Sequence, residues 1–145
     1  MIRDMGKREE RQTAIRDIVR HQQVRTQRGL ADQLKQRGFE CTQATVSRDI
    51  GEIGLLKSAQ GYYALPEDMV LERVIGDMAE TFEDAGNLLV IKTRSGGAPI
   101  LAEAIDNAEI EGLVGSVAGD NTILVIAKTP EYAVIIEKMF MNMRK

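Results

Sequence analysis

Residues 42–50 read TQATVSRDI: two threonines, a serine, an arginine and an aspartate, and no aromatic. The stretch is too polar for a core helix and too regular for a loop. At about 100° per residue, Val46, Ile50 and Ile53 fall on one face, at i, i+4 and i+7. That turns Ala44, Ser47, Arg48 and Gly51 outward, with Thr45 and Glu52 flanking them. The outward face is short, narrow and polar, and it carries one cation. Small side chains let a helix approach base edges in a major groove. Hydroxyls bond bases or phosphates, and an arginine grips guanine with two parallel bonds. The chemistry on offer is recognition of duplex DNA.

A reading helix needs elements to hold it. Residues 7–21 form an amphipathic helix by pattern, with Ala14, Ile15, Ile18 and Val19 as its stripe. Thr26 stands as an N-cap before a second helix, in which Leu30 and Leu34 are four apart and Gly38 is the stop. Thr42 caps the third. Residues 55–65, LLKSAQGYYAL, have apolar ends and a polar, Gly-containing middle, which predicts a small hairpin. Three helices followed by a hairpin is the order of a winged helix-turn-helix. In that arrangement the start of the third helix reads DNA, through Thr42, Gln43, Ala44, Thr45, Ser47 and Arg48. The second helix aims its N-terminus, with Thr26, Gln27 and Arg28, at a phosphate. Arg25 adds charge nearby, and Tyr62 and Tyr63 pack the hairpin.

The charge distribution agrees. Residues 1–65 carry 12 Lys+Arg against 8 Asp+Glu, and residues 66–145 carry 7 against 14. A basic front joined to an acidic back implies that only the front meets a polyanion. We therefore expect two domains, 1–65 and 66–145, with Pro66 at the boundary. One cysteine, Cys41, leaves no internal disulfide framework, and one histidine, His21, argues against a His/Cys metal site. Cys41 is expected as a free buried thiol and His21 as a helix C-terminal cation. No apolar run reaches the roughly 18 residues of a membrane span, and the charged N-terminus reads as no secretory signal. The expectation is a cytoplasmic protein without membrane contact, catalytic residues, metal or cofactor. There is no Gly-x-Ser-x-Gly elbow and no nucleophile-base pair.

The back half alternates. Leu71, Ile75, Met78 and Phe82 predict one amphipathic helix over 67–86 that stops at Gly86. A strand at 87–93, a helix at 99–109 after the turn Ser95-Gly96-Gly97, strands at 113–119 and 122–128 around Asp120-Asn121, and a helix at 130–143 follow. Asp-Asn suits a two-residue turn because both residues tolerate left-handed backbone angles. The second domain is thus expected as α-β-α-β-β-α, an α+β core with an antiparallel sheet. The methionines Met139, Met141 and Met143 read as core or subunit contacts.

TQATVSRDI resembles the recognition-helix motif of the arginine repressor family of bacterial transcription regulators. NLLVIKT, SGGAPILAEAIDN and GSVAGDNTILVIAKTPE resemble, in order and spacing, that family's effector-binding and oligomerisation domain. The resemblance covers nearly the whole chain. It implies a winged-helix DNA-binding domain joined to an α+β core that trimerises, two trimers stacking into a hexamer around L-arginine. It also implies palindromic operators near genes of arginine biosynthesis and catabolism.

Carried over residue by residue, the effector site comprises Ala98, Asp106, Asp120 and Asn121. A guanidinium ligand calls for carboxylates in planar, two-bond geometry. Asp106 and Asp120 match acids of the family. Asn121 stands where the family usually has a second adjacent acid, and Pro99 where it usually has glutamine. Losing one charge-assisted contact costs about 1–3 kcal/mol, roughly five- to over a hundred-fold in affinity. Three readings stay open: arginine binds with Asn121 accepting one bond; the pocket takes a related molecule such as citrulline; or no effector binds. An architectural role, bending or bridging DNA, is a further alternative to a repressor, and an enzyme using Asp106 and Asp120 as paired acids is another.

Overall fold

The computed structural model describes residues 2–144, with side chains from residue 6 onward. The chain divides into two compact units, Met1–Pro66 and Glu67–Lys145.

The first unit has helices α1 (Ile2–His21), α2 (Gln27–Gln36) and α3 (Gln43–Ile53), then short strands β1 (Leu56–Lys57) and β2 (Tyr63–Ala64) paired antiparallel. Its core is where the apolar stripes meet. Ile15 and Ile18 of α1, Leu30 and Leu34 of α2, and Val46 of α3 are fully buried, and Val24, Leu55 and Leu65 join them. Each such side chain contributes about 1.5–3 kcal/mol relative to exposure. Both helix starts are capped as their threonines predict: Thr26 Oγ1 accepts from Gly29 N at 2.9 Å, and Thr42 Oγ1 from Thr45 N at 3.1 Å. Gly54 ends α3 with a left-handed φ of 82°.

Helix α4 (Pro66–Met78) starts at the boundary, and the second unit continues with β3 (Ala79–Ala85), β4 (Leu88–Thr93), α5 (Ala98–Asn107), β5 (Leu113–Ala118), β6 (Thr122–Ala127) and α6 (Pro130–Arg144). The four strands form one antiparallel sheet in the order β3-β4-β6-β5. Leu89 and Ile91 of β4 and Ile123 and Val125 of β6 pack against α4, α5 and α6 through Ile75, Leu101, Ile105, Ile136 and Phe140, all fully buried.

Here the sequence expectation for 67–86 is corrected. The helix ends at Met78, and residues 79–85 are an edge strand, so the order is α-β-β-α-β-β-α. Phe82 serves neither period alone. It pairs with Ile91 in the sheet and packs its ring 6.2 Å from that of Phe140. Gly86 is no helix stop. With a φ of 64° it is the first central residue of a tight turn closed by Ala85 and Leu88, the position where a type II′ turn takes glycine. Gly86-Asn87 between two strand-like runs was the signal available for that hairpin.

Candidate functional site

α3 presents the face its sequence implies. Val46 is buried, while Thr42, Gln43, Ala44, Ser47 and Arg48 are exposed and Thr45 is half-buried. At the start of α2, Thr26 and Arg28 are exposed and Gln27 half-buried. The hairpin is tied to the loop before α2, where Tyr63 N donates to Val24 O at 2.8 Å. Arg25 faces the hairpin: its guanidinium lies 4.2 Å from the centre of the Tyr62 ring, and Nη1 donates to Gln60 O at 2.9 Å. Lys57 lies over Tyr63 in the same way, at 4.3 Å. Both tyrosines thus carry a cation on their rings and brace the hairpin.

Sequence reasoning missed Asp49. It follows Arg48 in the motif, yet its residue is 1% exposed. Arg11 of α1 donates to both carboxylate oxygens, through Nε to Oδ2 and through Nη2 to Oδ1 at 2.9 Å. Gln12 Nε2 adds a bond to Oδ1 at 3.0 Å. Burial alone would push this carboxyl up, but the bonds from Arg11 and Gln12 and the charge of Arg11 outweigh it, and the pKa lies below the ordinary aspartate value. The forked, two-bond geometry fixes how α3 is rotated against α1. The signal was an acid adjacent to Val46 and Ile50 on the helix, where only a partnered charge can sit. Cys41 is a free thiol but half-buried, not buried as expected, because it lies at the rim of the same junction. Its pKa is raised by partial burial, with the charge of Arg11 opposing.

Beside this latch, a groove of about 590 Å³ opens between α1 and α3, lined by Lys7, Arg8, Arg11, Thr45, Arg48, Asp49 and Glu52. Arg8 Nη2 pairs with Glu52 Oε2 across it at 3.1 Å.

In the second unit, the Asp120-Asn121 turn is held from outside. Gly119 N donates to Thr122 O at 2.8 Å, closing a two-residue turn. Neither central residue has a positive φ, since among the described residues Glu109 is the one non-glycine that does. The expected left-handed turn chemistry is therefore corrected. The turn's carbonyls are anchored instead: Asp120 O accepts from Ala98 N at 3.1 Å, and Asn121 O from Thr93 N at 2.8 Å. Ser95 Oγ donates to Asp120 Oδ2 at 3.2 Å. This brings Asp120 and Asn121, both exposed, to the start of α5, where Ala98 is buried and Pro99 exposed. Asp106 does not join them. It lies at the far end of α5, about 12 Å along the axis, and accepts from Ser116 Oγ at 3.2 Å.

The sheet also has a less buried face, opposite the one that packs on α4, α5 and α6. Along β4 and β6 the alternate residues Leu88, Val90, Leu124 and Ile126 are half-buried. On the edge strand β5, Val114 and Val117 are each 63% exposed. Among the described residues no three His, Cys, Asp or Glu gather as a metal site, and no helix is long and apolar enough to cross a membrane.

Comparison with known proteins matches the sequence to a family in two parts. Residues 6–70 match the model described as arginine repressor, DNA binding domain, and residues 75–142 the one described as arginine repressor, C-terminal domain. The arginine repressor of Thermus thermophilus is 43% identical, over 94% of this chain and 90% of its own. The chain belongs to the arginine repressor family. The arginine repressor of Carboxydothermus hydrogenoformans is also 43% identical, over 83% of this chain and 88% of its own. That of Bacillus cereus is 38% identical, over 92% and 97%. The winged helix-turn-helix and the antiparallel α+β core are thus the two family domains, and family membership makes transcriptional repression and DNA binding the business of this chain.

Proposed function

We infer that the chain is a repressor of arginine-metabolism genes that binds palindromic operators as a homo-oligomer, a hexamer built as a dimer of trimers, with L-arginine as corepressor. The observation that carries the DNA reading is the exposed, polar face of α3, capped by Thr42 and locked from behind by Asp49. Thr42, Gln43, Ala44, Thr45, Ser47 and Arg48 read the major groove, and Thr26, Gln27 and Arg28 hold a phosphate at the start of α2. The less buried apolar sheet face supports the oligomer.

The effector reading rests on Ala98, Asp106, Asp120 and Asn121. Asp106 and Asp120 lie at opposite ends of α5, so one small ligand touching both bridges two chains. This supports reading the effector as bound between subunits, with its binding coupled to assembly. Pro99 and Asn121 favour a second reading, an effector with a neutral ureido group in place of the guanidinium. Pro99 offers no amide, and Asn121 offers an acceptor without charge.

The test is one titration series on the purified protein. Calorimetry with L-arginine, citrulline and ornithine runs beside a measurement of oligomeric mass and of operator binding. Saturable arginine binding that raises the mass and tightens operator binding supports the corepressor reading. Arg48→Ala should weaken operator binding by about 1–3 kcal/mol, roughly five- to over a hundred-fold, with the mass unchanged. Wild-type operator affinity in that variant would remove the base-reading role of α3.

A further inference from the structure

On the α1 side of the groove between α1 and α3, Lys7 and Arg8 have no part in the reading given so far, and the groove's charges are arranged unequally. Arg11 is spent on Asp49: its side chain is 17% exposed, and its fork closes on the buried carboxylate. Arg8 is held differently. Its partner Glu52 is an exposed acid, with the two side chains 54% and 42% exposed, at a single contact of 3.1 Å. Such a pair is weak in water and readily exchanged. Lys7, exposed, adds a third cation on the same wall. The opposite wall includes Thr45 and Arg48, which also belong to the DNA-reading face of α3. A polyanion lying along α3 therefore passes the mouth of this groove.

The geometry points to a backbone phosphodiester site in this groove, with Lys7 and Arg8 of α1 as its ligands and Glu52 as the acid that holds Arg8 until DNA arrives. The site rests on the DNA-binding reading and extends it to the first helix. On binding, Arg8 exchanges the Glu52 carboxylate for a phosphate oxygen, and Lys7 adds a point charge. Arg11 takes no part, because leaving Asp49 would strand a buried charge. A phosphate contact positions the protein without reading sequence.

The experiment measures full-length protein binding to an operator duplex and to an unrelated duplex across a range of salt concentrations. The proteins are wild type, Lys7→Gln, the double variant Lys7→Gln/Arg8→Gln, and Glu52→Gln. Circular dichroism and melting confirm that each is folded. The double variant should lose roughly three- to ten-fold in affinity for both duplexes equally, and its log K against log salt slope should flatten by about 1 to 2. Glu52→Gln, which frees Arg8, should tighten both duplexes a few-fold. Slopes equal to wild type in the double variant, or a loss confined to the operator, would overturn the site. Lys7→Gln keeps the Arg8–Glu52 pair intact and so reads the groove even if the double variant is destabilised. Wild-type binding without operator preference would sink the regulatory reading while leaving the groove to be judged on slope. No binding of wild type to either duplex would sink both.

Discussion

Asp49 sits within TQATVSRDI, the stretch we propose reads DNA, and is buried rather than presented on its outward face. Its bonds from Arg11 and Gln12 hold the carboxyl below the ordinary aspartate pKa despite burial. A carboxylate with a depressed folded pKa stabilises the fold above its unfolded value of about 3.9, and that stabilisation is lost as pH falls through the folded value. Asp49→Asn should therefore cost about 2 kcal/mol at pH 7, and the gap to wild type should close as the pH of the melt is lowered from neutral to below the ordinary aspartate range. A constant gap across that range would mean that the carboxylate charge contributes nothing. Gly112 makes a second case at this scale. Its φ is +84°, and a Cβ there would lie 2.1 Å from the Tyr132 ring. Gly112→Ala combines a left-handed alanine with overpacking, so a loss of about 2–4 kcal/mol is expected. Gly115→Ala, where a Cβ meets open space, is the matched control and should stay within about 0.5 kcal/mol.

At the scale of elements, legibility depended on whether a segment's partners were local. α2 and α3 were readable because caps, stripes and stops lie within each segment: Thr26 with Leu30 and Leu34, Thr42 with Val46. Residues 67–86 were not. Leu71, Ile75, Met78 and Phe82 keep helical spacing straight through the helix end, so period alone continued the helix. What stops it is pairing: Thr81 to Ala85 find Lys92 to Leu88 across a turn at Gly86. The candidate sites divided in the same way. The outward residues of α3 followed from its own period. The latch on Asp49 did not, because Arg11 and Gln12 are 38 and 37 residues away. Nor did the distance between Asp106 and Asp120, which is set by the way α5 packs its start against the β5–β6 turn.

For the whole molecule, charge divides between the two units, and the second carries a half-buried apolar sheet face. The basic unit offers cations to DNA, and the acidic unit offers an apolar face rimmed by β5. Burying Val114 and Val117, each 63% exposed, against another chain removes apolar area from water at about 25 cal/mol per Å². Val117→Asp places a charge in that face and should lower the oligomeric mass seen by light scattering, while the sheet, whose core lies on the other side, stays folded. An unchanged mass would exclude this face as the subunit interface.

Local physics dictates the caps, the helical stripes, the exposed polar face of α3 and the hairpin after it, and the motifs carry the family likeness. Tertiary structure alone decided what rests on groups distant in the chain. A helical period cannot say where a strand partner will interrupt it, so β3 emerged only in the sheet. A charge beside Arg48 cannot announce that its partner is Arg11, so the latch on Asp49 emerged only where α1 packs against α3. Two aspartates fourteen residues apart cannot declare their distance in space, and α5, a rigid rod between them, keeps them at opposite ends.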